Sequence, residues 1–209
     1  MALPQIATAL PPFNRPAIGM RAARLLGLAE AMGLLAETAA IGQLDWSALG
    51  DPIRTIVSEG IGRDAALELG QLEGTDDPER LAEVLDRLHS ELELSPNPGT
   101  ETSALTRRLG LELLAVLVHT STTSVRRYTA KERTTPDAVA ARLHHLARIV
   151  AALAGGYNDF GIRRWFMRRR PQLEGRAPTD VLAGDWDPDE DGPQRVLILA
   201  QALNSSPAT

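Results

Sequence analysis

The chain is 209 residues long, 44% hydrophobic and 23% charged, with a formal net charge of −5 and no cysteine. Such a chain can bury a core without metal or disulfide staples, and the missing cysteines exclude a disulfide framework, a thiol nucleophile and cysteine-based zinc sites. The longest apolar run falls well short of the roughly 20 residues that cross a bilayer. Pro4, Pro11, Pro12 and Pro16 stand where a signal peptide would carry its apolar core, so a cytoplasmic location with no membrane partner is expected.

With those four prolines and little periodicity, residues 1–20 read as an extended or disordered lead-in. From Arg21 to about Ala40, Leu25, Leu28, Met32 and Leu35 recur at three- and four-residue spacing, which predicts an amphipathic helix. A second helix is expected from Asp51 to Leu69, with Pro52 in its first turn and Ile53, Ile56, Val57 and Ile61 as its apolar stripe. The third begins at Asp76-Asp77-Pro78-Glu79, where acids meet the positive end of the helix dipole, and carries Leu81, Val84, Leu85, Leu88 and Leu92. It runs out in Ser95-Pro96-Asn97-Pro98-Gly99-Thr100, a breaker-rich stretch that predicts a domain boundary. Residues 21–100 thus read as a helical interaction or dimerisation domain. Trp46 is expected in its core, and His89 lacks a second ligand at metal spacing.

Charge is unevenly spread. Thr106 to Arg176 holds 14 basic and 5 acidic residues, while the remainder of the chain holds 8 basic and 22 acidic. A basic segment within an acidic protein is the electrostatic footprint of a polyanion site, although solvated helix faces produce it too. Within residues 101–156, Leu111–Val118 reads as a short apolar helix, His119–Thr120 as a turn, and Ser121 as the cap of a second helix. At about 100° per residue, Val125, Tyr128 and Thr129 share one face of that helix, with Thr123, Arg126 and Arg127 opposite. Short hydroxyls (Thr122, Thr123, Ser124) followed by Arg126 and Arg127 are the residue types that reach base edges and phosphates, and Lys131 and Arg133 would meet the flanking backbone. The competing reading is a helical hairpin with a basic surface. Leu114-Ala115, Ser121, Val125, Arg126-Arg127, Tyr128 and Pro136 resemble the Xre-type helix-turn-helix, with His119 where that pattern has its turn glycine and Thr120 where an apolar residue is usual.

Thr135 as cap, Pro136 and Asp137 then open a long helix whose Val139, Leu143, Leu146, Val150 and Leu153 form a continuous seam, ended by Gly155-Gly156. His144 and His145 are adjacent, hence about 100° apart and unsuited to a shared metal; they are assigned to the polar flank. In residues 157–209, Tyr157, Phe160, Trp165 and Phe166 interleave with Arg163, Arg164, Arg168, Arg169 and Arg170. Stacking of single-stranded nucleic acid is one reading; a small aromatic core with the arginines in water is the stronger one.

Trp165 followed by Pro171, Leu173, Gly175, Arg176 and Pro178, then Thr179-Asp180-Val181-Leu182, resembles the toxin-binding domain of the MbcA/ParS/Xre antitoxin family. Locally, Gly175 permits a positive-φ turn, Arg176 can donate to carbonyls left open at the preceding helix end, and Thr179-Asp180 cap the next short helix. An acidic linker from Asp185 to Gly192 surrounds Trp186, and Gln194–Leu203 forms a last amphipathic helix. The resemblance covers roughly residues 105–205. No segment of the chain alternates apolar and polar residues over a strand length, so the expected fold is all-α in three parts (helical domain, helix-turn-helix, small toxin-binding domain). The resemblance, which has no counterpart for residues 1–100, implies an antitoxin that binds its toxin and operator DNA as a dimer or larger assembly. Its usual partner is a RES-domain toxin that destroys NAD, so NAD would be the toxin's substrate and the chain itself would need no cofactor. The resemblance places toxin contacts across Gln194–Thr209, with Trp186, Arg195, Val196, Leu199 and Leu203 as candidates.

Nothing in the sequence favours an enzyme: there is no phosphate-binding loop, nucleophile elbow or His-x-x-x-His pair, and the acids at 185–191 lack the spacing of a calcium loop. The alternative to an antitoxin is a stand-alone transcriptional regulator whose C-terminal domain binds another partner.

Overall fold

Helix-forming runs punctuated by glycine and proline give an all-α chain, with eleven α-helices among the described residues and one two-residue parallel bridge. The structure is a computed structural model that describes residues 7–35 and 42–205. The first six residues of the expected lead-in, the end of the helix expected to reach Ala40 and the last four residues of the tail lie outside these. No helix among the described residues is long and apolar enough to cross a membrane. The chain divides into two compact units, one formed by Leu3–Glu30 with Leu34–Ser95, the other including Ala31–Gly33 and Pro96–Thr209.

In the first unit, the lead-in is more ordered than its prolines imply. Thr8–Ala9 (β1) pairs in parallel with Gln43–Leu44 (β2), and Pro16 is the first residue of α1 (Pro16–Ala31). Proline breaks helices in their interior but suits their first position, so it marks a start here. Phe13 is 1% exposed and meets Trp46 edge-on at 5.1 Å, so the lead-in furnishes part of the core. The helix expected over 51–69 is two: α2 (Trp46–Ser58) and α3 (Arg63–Gln71). Gly60 and Gly62 both take positive φ between them, and a Cβ on Gly62 would come within 2.7 Å of Leu88 Cδ2. Because Asp45 caps α2 by accepting from the Ala48 N–H, the helix begins earlier than expected and Pro52 lies inside it, buried. Asp77 accepts from the Arg80 N–H at the head of α4 (Pro78–Glu93), whose five expected apolar residues are all buried.

The second unit opens with α5 (Pro98–Leu109). The latter half of the breaker-rich stretch 95–100 is already helix, with Pro98 at the first position. The unit continues through α6 (Leu111–Leu117), α7 (Thr122–Thr129), α8 (Asp137–Ala154), α9 (Asp159–Met167), a 3₁₀ turn (Pro171–Leu173), α10 (Pro178–Val181) and α11 (Asp191–Ser205). Asp137, not Pro136, is the first residue of α8, which packs against α5, α9 and α11. With neighbours on several sides, α8 is buried nearly all round, a pattern the seam alone does not reveal.

Candidate functional site

The exposed face of α7 is built by its two ends. Leu113, Leu114, Ala115 and Leu117 bury α6. His119, at φ +53°, then reverses the chain: its N–H donates to Val116 O (3.1 Å) and that of Thr120 to Ala115 O (2.9 Å). This pair of hydrogen bonds closes a helix with a left-handed residue, the place glycine usually fills. Ser121 Oγ accepts from the Ser124 N–H at 3.1 Å and starts α7. Lys131, at φ +57°, repeats the closure at the far end, with its own N–H on Tyr128 O and that of Glu132 on Arg127 O.

Val125 and Tyr128 are buried, and Thr123, Arg126 and Arg127 stand exposed together on the other side. Lys131 and Arg133 are exposed just beyond, Arg133 lying over the Tyr128 ring at 5.9 Å. Thr122 and Ser124 are half-buried, and the Ser124 hydroxyl accepts from that of Ser121 at 3.0 Å, so these two contribute less to the open face. Tyr128, Lys131, Arg133, Thr134 and Thr135 line an open pocket of about 260 Å³ with Pro98 and Gly99, and no carboxylate of the described residues borders it.

The residues expected to meet a toxin are mostly turned inward. Trp186 is 4% exposed, and its indole N–H donates to Leu117 O at 2.9 Å. Arg142, also buried, donates from Nε to Trp186 O (2.6 Å) and from Nη1 to Val118 O (3.4 Å), and pairs with Asp185. The carbonyls left open at the end of α6 are therefore satisfied by Arg142 and by the segment just before α11. Sequence reasoning missed Arg142, yet its spacing to Val139 and Leu146 places it on the apolar seam, and a lone arginine there is the mark of a buried clamp.

Val196 is 0% exposed and Leu199 half-buried, leaving Leu203 (40%) and the unforeseen Ile198 (60%) as the open apolar side chains of α11. Arg195 is an internal clasp: it donates to Glu174 Oε1 and to Gln172 O, both at 2.8 Å. The hydrogen bond from Arg195 and its charge hold the Glu174 carboxyl below the usual carboxylate range. The same contacts correct the expectation for Arg176, whose side chain is exposed; Arg195 meets the open carbonyl of the turn.

Elsewhere in the motif, Trp165, Leu173 and Pro178 are buried, Pro171 begins the 3₁₀ turn, and Glu174 precedes Gly175 in the left-handed region. Asp180 accepts from the Ala177 N–H at 3.0 Å, bracing α10. Trp165 and Phe166 pack edge-on at 5.3 Å, but Phe160, expected beside them, is 67% exposed.

His144 and His145 are buried, contrary to their assignment to the polar flank, because α8 has neighbours on both of the faces they occupy. His144 Nδ1 lies 2.6 Å from Glu101 Oε1 on α5, and His145 Nε2 lies 3.1 Å from Pro193 O on α11. Burial pushes the His145 pKa down to about 4, so the ring is neutral and Nε2 carries the proton it donates. Comparison with protein-family models, curated proteins and solved structures finds no match to this chain.

Proposed function

We propose that the chain is a DNA-binding antitoxin that neutralises a RES-type, NAD-degrading toxin by direct contact and represses its own operon. The reading is supported by one observation above others: Thr123, Arg126 and Arg127 stand exposed on one side of a helix whose other side is locked by Val125 and Tyr128. A short helix held at both ends presents arginines that can form paired hydrogen bonds to guanine edges. Lys131 and Arg133 follow it as phosphate contacts. The toxin-facing end is the acidic segment 185–191 with Ile198 and Leu203, where negative charge steers the contact and exposed apolar side chains anchor it.

Fluorescence anisotropy on the promoter region tests the DNA half. Arg127→Ala should cost on the order of 1–3 kcal/mol on the operator and far less on unrelated duplex. Lys131→Ala should weaken both alike and flatten the salt dependence. A wild-type chain without salt-sensitive binding to that DNA would end this reading. For neutralisation, deletion of Gln194–Thr209 is the wrong probe, because Val196, Leu197 and Ala200 are buried and their loss would unfold the unit. Ile198→Asp with Leu203→Asp leaves those residues in place. Loss of co-purification with the co-expressed toxin is the expected result, and undiminished protection of cells would rule out α11 as the contact.

A further inference from the structure

Helix α9 turns Ile162, Trp165 and Phe166 inward, and at about 100° per residue its opposite face carries Phe160, Arg163, Arg164 and Met167. Phe160 is 67% and Met167 61% exposed, the largest aromatic and the most flexible apolar side chain of the helix left in water. Arg168 and Arg169 extend the same surface past the helix end, and no acidic residue occurs between Asp159 and Glu174. None of Arg163, Arg164, Arg168 and Arg169 forms an ion pair with a described residue, whereas Arg80, Arg87, Arg142 and Arg195 all do. Aromatic residues, methionine and arginine together, without lysine or acid, are the composition that interface cores favour.

The same unit offers the complement. Asp185, Asp187, Asp189, Glu190 and Asp191 are exposed within seven positions, and Ile198, 60% exposed, lies two turns further along α11. Four unpaired arginines with two bare apolar side chains thus answer a run of acids with an apolar residue beside it. Self-contact of two α9 faces would set arginine against arginine. A nucleic acid would neutralise the arginines but leave Met167 in water, and one exposed aromatic does not make a platform for successive bases. We infer that the outer face of α9 is an interface between two copies of this chain, covered by residues 185–198 of the second copy. Each copy carries both surfaces, and the contact we infer is the reciprocal one, in which both pairs meet at once about a two-fold axis. It does not depend on the DNA- and toxin-binding reading, and a chain that binds neither associates in the same way.

Sedimentation equilibrium of the full chain tests it. The expected result is a dimer at low salt whose dissociation constant rises about tenfold at high salt. Arg163→Glu with Arg164→Glu should give monomer, as should Asp189→Arg with Glu190→Arg, and a chain carrying all four changes should dimerise again. Phe160→Ser should weaken the dimer about tenfold without altering its salt dependence. Circular dichroism checks folding; if the α9 pair fails to fold, the exposed pair at 189 and 190 decides the matter alone. A wild-type chain that stays monomeric at every concentration overturns the inference, as does a dimer indifferent to the charge reversals. A monomer whose oligonucleotide binding disappears with Arg163→Glu and Arg164→Glu would assign the face to nucleic acid instead.

Discussion

His119 holds a left-handed backbone that costs an L-residue about 1 kcal/mol and glycine almost nothing. His119→Gly should therefore raise stability by up to about 1 kcal/mol, read as a higher urea midpoint, and leave α7 in place. A loss of stability would mean that the imidazole itself holds the turn. His145 makes an opposite demand. Its pKa is lowered to about 4 by burial, whereas an unfolded histidine titrates near 6.5, so between those values the unfolded chain binds more protons. Stability from this group is fully present above about pH 6.5 and is lost as pH falls toward about 4, by on the order of 3 kcal/mol. Urea midpoints from pH 7.5 to 4.5 should show the decline, and His145→Gln, which keeps a donor for Pro193 O, should flatten it. An equally steep decline in that variant would place the proton uptake elsewhere.

At the scale of elements, Arg142 ties α8 to the end of α6 and to the turn before α11. Arg142→Ala strips donors from Trp186 O and Val118 O and should cost about 3 kcal/mol in thermal or urea unfolding. Asp185→Ala should cost under about 1 kcal/mol, because that carboxylate is 84% exposed. Equal effects of the two would show the ion pair, not the carbonyl contacts, to be what matters. Helices whose signals are local were legible in the sequence: α4 from its cap and stripe, and the α6–α7 hairpin from Ser121, Val125 and Tyr128. What escaped depends on distant partners. Nothing near His144 announces Glu101, 43 residues away, and nothing near Trp186 announces the Leu117 carbonyl. Pro16 and Pro98 were misleading for a different reason, since proline favours both a break and a first helical turn. Of the candidate site, the α7 face was legible because exposure follows the helical period, while the fates of Val196 and Arg195 were fixed by α8 and the turn at 172–174.

For the whole molecule, residues 96–209 make up all of the described second unit but the short piece Ala31–Gly33, and they should fold alone with one cooperative transition. A fragment starting at residue 101 loses the first turn of α5 and uncovers Glu101, which is 0% exposed beside His144, and should be distinctly less stable. Residues 101–156 alone should not fold, because α8 would lose the cover of α11. Differential scanning calorimetry of the three fragments checks this, and a cooperative transition for 101–156 would contradict it. In the full chain, a toxin occupying residues 185–198 would compete with a second copy for the same acids, so adding toxin should lower the dimer fraction.

The bond from Trp186 to Leu117 joins positions 69 residues apart. A ribosome releases Leu117 long before Trp186 has been made, so the nascent hairpin waits with the Leu117 carbonyl lacking its indole donor. The unit that carries α7 is thus completed late in synthesis, and a product broken off before residue 186 carries the α7 side chains without the support that fixes them. Ribosome-bound chains of increasing length should resist protease across 111–135 only after that tryptophan has cleared the exit tunnel.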